Sequence, residues 1–173
     1  TISDSASVTV VIANIDHIAV MPNTISIIVG GTQSFTATAY DQFNNVIAGV
    51  GFTWTTDIGA ISGTGNFTAQ IAPGIGFVRA TNGTIIGSAS VTILIGGIHH
   101  IIVAPDPLTI IVNGVMQFNA QAYDIYNNLI IGTGFAWTTD AGTIDQTGFF
   151  TAQSTPVSGQ VTATNGTVSR IVN

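Results

Sequence analysis

The chain has 173 residues and a formal net charge of −6, and only 6% of its residues are Asp, Glu, Lys or Arg. Its only basic residues besides histidine are Arg79 and Arg170, so it has no basic patch to neutralise phosphates and we expect no nucleic-acid partner. Mean hydropathy is +0.53, yet no apolar run reaches the roughly 18 residues of a membrane-spanning helix, so we expect no membrane span.

An internal repeat organises the chain, and it is visible without any gap in the alignment. Trp54 recurs as Trp137, 83 residues later, and the same offset relates the motif ATNGT at residues 80–84 to its second copy. We therefore expect two tandem copies of one domain. The predicted boundaries are a segment at 1–14 and domains at 15–97 and 98–173.

The N-terminal segment, residues 1–14, aligns with the end of the first copy. At the repeat offset residues 1–12 align with residues 84–95, and the motif SASVT at residues 5–9 is identical to that at residues 88–92. The chain opens at Thr1 without a charged and apolar leader, as a mature exported protein would, so we expect an extracellular location. Alternation places four apolar residues on one face of a spare strand: Ala6, Val8, Val10 and Ile12.

Within each copy, apolar and polar residues alternate with period two between turn signals, which predicts β-strands. In the first copy the predicted strands are residues 17–20, 25–29, 33–40, 50–56, 65–70, 75–81 and 85–95, and the second copy repeats the first six. Short strands at this spacing predict an all-β fold. The expected architecture is two tandem immunoglobulin-like β-sandwich domains with an extra N-terminal strand.

Each copy also carries a family-like pattern: a glycine, a strand with Phe and Ala at alternate positions before Asp, an asparagine turn, a tryptophan strand and a late A-x-x-G. In the first copy these residues are Gly31, Phe35, Ala39, Asp41, Asn44, Asn45, Gly49, Trp54, Ala80 and Gly83. The pattern resembles the bacterial Ig-like repeats of invasin, intimin and many surface-layer and adhesin stalks, which often have Gly-Asn where this chain has Asn44-Asn45. The resemblance implies a spacer role and no particular ligand.

The second copy ends at Asn173, which aligns with Ser90, so most of its last strand is expected to be missing. A sandwich that lacks a terminal strand exposes a hydrophobic groove and unpaired backbone groups. We expect the N-terminal strand of one subunit to complete the second domain of the next, forming a pilus-like homopolymer by donor-strand complementation. By analogy with the first copy, the expected acceptor residues are Phe118, Trp137 and Val161.

Two other functions stay open. The chain is alternatively a fragment of a multi-repeat adhesin or surface-layer stalk. A carbohydrate-binding or enzyme-accessory module would need exposed aromatic residues aligned on one face, for which the candidates are Phe43, Tyr126 and Phe149. No Ser, His and Asp set or phosphate-binding glycine loop is present, so we expect neither an enzyme nor a cofactor.

Histidine and acidic residues give weak metal signals. His17 and His100 repeat, but His99 would point to the opposite face of its strand from His100, so we expect no histidine metal site. Asp41 and Asp124 stand before paired asparagines and are weak Ca²⁺ candidates. The same residue types also form turns by bonding their own backbone, which is the preferred interpretation.

Three sequons offer sites for N-linked glycans. They begin at Asn66, Asn82 and Asn165. The latter two fall at an Asn-Gly pair, which also predicts a tight hairpin turn because that turn needs positive φ.

Overall fold

The computed structural model describes residues 2–173, and these form β-strands without any helix, which confirms the prediction of an all-β fold. The chain divides between Leu94 and Ile95 into two compact units, called unit one and unit two below. Across the described residues, no helix has the length and apolar character needed to cross a membrane.

Unit one is built from ten strands in two packed layers. The strands are β1 (His17–Met21), β2 (Thr24–Ile28), β3 (Thr32–Ser34), β4 (Thr36–Tyr40), β5 (Val46–Ile47), β6 (Thr53–Thr56), β7 (Gly59–Ile61), β8 (Asn66–Ala69), β9 (Gly74–Asn82) and β10 (Ile85–Leu94). One layer is the sheet β2-β10-β9-β6, and the other contains the sheets β1-β4-β5 and β3-β8-β7.

The core of unit one lies between these layers. Alternate residues of β10 turn inward, and Ala89, Val91 and Ile93 are at most 2% exposed. They pack against Phe35 and against Phe67 of β8. The rings of these two phenylalanines meet edge to face, with centroids 6.0 Å apart. Period-two burial of this kind is what a strand with one face on the core requires.

The predicted strand 33–40 is broken at Phe35. Its N–H donates to the carbonyl of Gly65 at 2.8 Å, and β3 and β4 pair with different neighbours on either side of it. A local break of the ladder turns the large ring into the core, as bulges do. The repeat reproduces this feature, because Phe118 N–H donates to Gly148 at 2.8 Å.

Unit two has the same layers with one strand fewer. Its sheets are β11-β13-β14, β12-β17-β16 and β15-β18-β19. The strands are β11 (His100–Ala104), β12 (Val115–Gln117), β13 (Asn119–Tyr123), β14 (Leu129–Ile130), β15 (Ala136–Thr139), β16 (Gly142–Ile144), β17 (Phe149–Ala152), β18 (Val161–Asn165) and β19 (Val168–Val172).

The expectation that unit two repeats the first six strands is wrong at its second strand. In unit one, β2 pairs in parallel with residues 90–94 of β10. Residues 107–111, the repeat equivalents of β2, form no strand, and among the described residues only Asn173 is equivalent to a member of the partner segment 90–94. Strand β18 likewise starts only at Val161, whereas its equivalent β9 starts four residues earlier in the repeat. Five residues of the last strand are nevertheless present as β19.

Candidate strand-acceptor groove

A groove opens on unit two between residues 108–110 and residues 157–160. It has a volume of about 630 Å³ and is open to solvent along its length. Apolar and polar residues both line it. Those that matter below are Leu108, Ile110, Phe118, Phe150, Val161 and Val172. This groove, bounded by residues 108–110 and 157–160, is called the acceptor groove.

Unit one shows what fits such a groove. There residues 90–94 run parallel to β2 on one side and antiparallel to β9 on the other. At the repeat offset, β2 corresponds to residues 107–111 and the first four residues of β9 correspond to residues 157–160. The walls of the acceptor groove are therefore the equivalents of the two neighbours of residues 90–94. The groove lies where unit one has the second half of β10.

The exposed fractions of equivalent side chains show that this strand position is filled in unit one and open in unit two. Val29 is 4% exposed in unit one, where its N–H donates to the carbonyl of Leu94 at 2.9 Å. Its equivalent Val112 is 42% exposed. Within the part of the chain that the structure describes, this ladder in unit two is reduced to one contact, from Leu108 N–H to the Asn173 carbonyl at 3.4 Å. The groove thus places exposed aliphatic residues beside two backbone segments whose equivalents in unit one pair with a strand, the features that strand addition uses.

The structure places the three predicted acceptor residues differently. Phe118 and Val161 line the groove, although they are only 2% and 5% exposed. Trp137 lies behind the groove, where its ring packs on Phe118 with centroids 6.3 Å apart. Leu108, Ile110 and Phe150 also line the groove and were not predicted from the sequence. They can be found when the repeat offset is applied to the residues beside the last strand of unit one instead of to its core residues.

The N-terminal segment is separate from any sheet. Residues 2–12 form no strand and are exposed, including the four predicted donor residues; Thr1, the first residue of the predicted donor strand, lies outside the described residues. Val8 is 85% exposed, Val10 is 91% exposed and Ile12 is 53% exposed. Ala6 is also exposed. An extended run of such side chains offers the apolar face that a partner groove would bury.

In both units a buried aspartate accepts a hydrogen bond from the segment of chain that leads into the first strand. The Asp41 carboxylate is 1% exposed and accepts N–H groups from Phe43 and Asn45 at 2.9 Å and from Ala13 at 3.3 Å. The Asn45 side chain donates to it at 3.0 Å. These four donors complete the turn role that the sequence indicated.

Asp124 repeats this arrangement in unit two. It is fully buried, and it accepts bonds from Tyr126, Asn128 and, at 3.2 Å, from Gly96 N–H. Gly96 is the repeat equivalent of Ala13. Hydrogen bonds lower the pKa of both aspartates; for Asp41 the bond from the Asn45 side chain is the largest contribution, and for Asp124 burial opposes the shift but is outweighed.

The histidines stack on tyrosines. The ring of His17 lies parallel to that of Tyr40 with centroids 5.1 Å apart, and His100 stacks on Tyr123 at 5.3 Å. His99 meets His100 edge to face. Over residues 2–173, no three His, Asp or Glu side chains are grouped so that they could hold a metal ion.

The side chains of the sequon asparagines form hydrogen bonds. Asn82 donates to the Gly51 carbonyl at 2.9 Å, and Asn165 donates to the Gly134 carbonyl at 2.8 Å. Asn66 accepts from the Ser34 hydroxyl at 2.7 Å. The hairpin after β9 is one residue later than predicted, because Asn82 pairs with Ile85 across the ladder and the positive φ of 57° falls on the next residue, a glycine. Glycosylation of these residues stays a prediction.

The aromatic residues named for a carbohydrate-binding module are exposed. Phe43 is 71% exposed and Tyr126, its repeat equivalent in unit two, is 41% exposed. Phe149 is 45% exposed at the start of β17. Repeat equivalence explains the first two as turn residues beside the buried aspartates, since both donate a backbone N–H to that carboxylate.

No protein-family model and no curated protein matches this chain. Among solved structures, domains 4 and 5 of the S-layer protein SbsC are 16% identical, with 92% of this chain and 97% of that chain covered and a TM-score of 0.42. The adhesin InvE of Yersinia pseudotuberculosis is 15% identical, covers 90% of this chain and 56% of its own, and has a TM-score of 0.43.

The N-terminal four Ig domains of Dscam1 isoform 6.9 are 13% identical, with 91% of this chain and 45% of that chain covered and a TM-score of 0.45. Each unit of this chain is an all-β fold of two packed layers, the arrangement expected of an immunoglobulin-like sandwich. At these identities and TM-scores, no activity, partner or site of those proteins is transferred to it.

Proposed function

We propose that this protein is a non-enzymatic structural subunit of an extracellular fibre, assembled head to tail by strand addition. In this assembly the N-terminal segment of one copy enters the acceptor groove of another. The observation that carries the proposal is a match between segment and groove. Residues 5–9 are identical to residues 88–92 of unit one, and the latter half of β10 fills in unit one the place that is open in unit two.

Burial of two donor side chains contributes substantially to the proposed contact. Val91 and Ile93, the unit-one residues that align with Val8 and Val10, are 0% and 2% exposed. Fully burying an aliphatic side chain of this size contributes about 1.5 to 3 kcal/mol, so the two donor residues together contribute about 3 to 6 kcal/mol. A whole domain is stable by only about 5 to 15 kcal/mol. The backbone ladder on both sides of the groove adds to this burial.

Linker lengths also agree with this assembly. Gly96, which donates to the buried Asp124, lies three positions after Ile93. The same spacing separates Val10 from Ala13, which donates to Asp41. A segment seated in the groove would therefore lead into the next copy through a connection of the length already used between the repeats. Since donor and acceptor surfaces differ, the contact does not close on itself and propagates.

The repeat itself supports a second function. In unit one the groove is filled in cis by the chain that leads on to the next repeat. A longer polypeptide with further repeats would fill the acceptor groove in the same way, and the protein would then be a segment of an adhesin or surface-layer stalk. The intact mass of the protein from its native source separates the two functions, because a stalk requires a much longer chain.

Electron microscopy of the purified 173-residue chain tests the assembly directly. We expect fibres from the intact chain and single particles after removal of residues 1–12, a deletion that keeps the hydrogen bond from Ala13 to Asp41. A synthetic peptide of residues 1–12 should stop fibre growth when added to the intact chain. Fibres that persist without residues 1–12 would contradict the proposal.

A further inference from the structure

The position of β19 restricts how a strand can enter the acceptor groove. Val172 is 4% exposed in the core of unit two, and at the repeat offset it is the equivalent of Ala89. It is paired with Val161 across the ladder of β18 and β19. The place that Ala6 would take by alignment is therefore already occupied by the subunit's own side chain.

The next two inward positions are open. They correspond to Val91 and Ile93 in unit one, which align with Val8 and Val10 of the N-terminal segment. On their two sides lie the aliphatic residues Leu108 and Ile110 and the residues that precede Val161. Of the four predicted donor residues, only Val8 and Val10 match the open part of the groove, because Ile12 aligns with Ile95, which lies beyond the end of β10.

The two walls fix the direction of an added strand. In unit one Thr92 pairs with Ser26 in parallel on one side and with Ile75 in antiparallel on the other. The repeat equivalents of these three residues are Thr9 in the segment, Thr109 in one wall and Ser158 in the other. Reversing the strand would replace each ladder type with the other and lose both registers.

We infer that residues 8–11 of a second copy occupy the acceptor groove in one register, with Val8 and Val10 buried, Thr9 beside Thr109 and Ser158, and Ala6 outside. This inference rests on the proposed function and adds its register and direction. Strand β19 stays in place, and the added strand continues it end to end. Specificity comes from the alternation of side chains, because a slip of one residue would turn Thr9 inward and Val10 outward.

Engineered disulfides test this register cleanly, since the sequence contains no cysteine. One chain carries Thr9→Cys and a second carries Ser158→Cys, and the two are mixed so that only contacts between copies can join them. Thr109 and Ser158 are exposed, as is Thr9, so single substitutions there should fold. We expect a disulfide-linked heterodimer under non-reducing conditions from this pair, and also from Thr9→Cys with Thr109→Cys.

The matched control pairs Thr9→Cys with Gln160→Cys, which the inferred register places two residues apart. Directly opposed residues have Cα atoms about 4.5 to 5.5 Å apart and diagonal ones about 7 to 8 Å, whereas disulfides need about 4.4 to 6.8 Å. We expect loss of cross-linking in this control. A second control pairs Ser5→Cys with Thr162→Cys and should also fail, because Ile171 of β19 already lies opposite Thr162.

The possible failures are distinguishable. Fibres that cross-link through Gln160→Cys would overturn the register and leave strand addition intact. Fibres that cross-link through Ser5→Cys and Thr162→Cys would show that the segment displaces β19, which also overturns the inference. Fibres with no cross-link in any pair would overturn both the register and the donor assignment. Single particles from the intact chain would overturn the proposed function itself.

Discussion

Asp41 and Asp124 are the two buried carboxylates among the described residues. Each accepts hydrogen bonds from its own turn and from the segment of the same chain that leads into its unit. Asp41 accepts bonds from its own turn and from Ala13, 28 residues earlier. Burial alone would raise the pKa of such a group, and hydrogen bonds to the charged form lower it. For Asp41 the hydrogen bonds, of which the one from the Asn45 side chain contributes most, outweigh the effect of burial, so its pKa lies below the usual Asp range.

This shift predicts a pH dependence of stability. A carboxyl whose folded pKa is lowered stabilises the fold above its unfolded pKa of about 3.9 and loses that contribution as the pH falls through the folded pKa. We expect Asp41→Asn to lower the melting temperature at pH 7. Below about pH 4 the melting temperature of the parent chain should decrease further, and that of Asp41→Asn should decrease much less. Asp4→Asn, in the exposed N-terminal segment, is the control and should behave like the parent in thermal denaturation followed by circular dichroism. Equal melting temperatures for Asp41→Asn and the parent at pH 7 would contradict this role.

At the scale of elements, β2 and residues 107–111 show why strand prediction succeeds in one unit and fails in the other. The two segments read TISII and PLTII, so their local preferences are similar. Only the first is a strand, because only the first has residues 90–94 beside it. A strand is defined by its partner, and a pattern within one segment does not contain that partner. The core positions were predictable because alternation is local, whereas Phe35 broke its strand through a bond to the distant Gly65.

Part of the candidate site could be predicted from the sequence, whereas another part depends on strand pairing in the folded protein. The repeat alignment predicted a donor face, which stays a prediction, and it named Phe118 and Val161, which line the groove. It could not show that Trp137 is behind the groove or that Val172 blocks the position of Ala6. Both facts depend on how far β19 extends, which is a property of the folded ladder rather than of the alignment.

Alternation along the donor strand gives a prediction for single substitutions. Val8→Asp and Val10→Asp each lose about 1.5 to 3 kcal/mol of burial and place a charge in an apolar groove, so association should weaken by more than about tenfold. Thr9→Asp introduces the same charge on the opposite face and is the matched control, with a much smaller effect. Sedimentation of fibres at a series of protein concentrations measures the difference. Equal effects of all three substitutions would show that charge on the segment, rather than burial of one face, controls assembly.

For the whole molecule, the two units provide an internal comparison between a filled and an open strand position. The filled position in unit one has β2 hydrogen-bonded to β10, and Val29 is 4% exposed at its end. The open position in unit two leaves Val112 42% exposed. Amide hydrogen exchange follows local opening of such ladders. Assembly by strand addition should therefore make unit two exchange like unit one.

We expect residues 107–111 to exchange much faster than residues 24–28 in single particles of the Val8→Asp variant, and to become similarly slow in fibres of the parent chain. Strands β1 and β11 are the control, because both are paired over five residues in the described structure and should be protected in either state. Exchange followed by mass spectrometry resolves these segments. Slow exchange of residues 107–111 in single particles would mean that the chain fills its own groove. Fast exchange in fibres would mean that the subunits are joined through another surface, since a strand bound in the groove must protect the backbone of both walls.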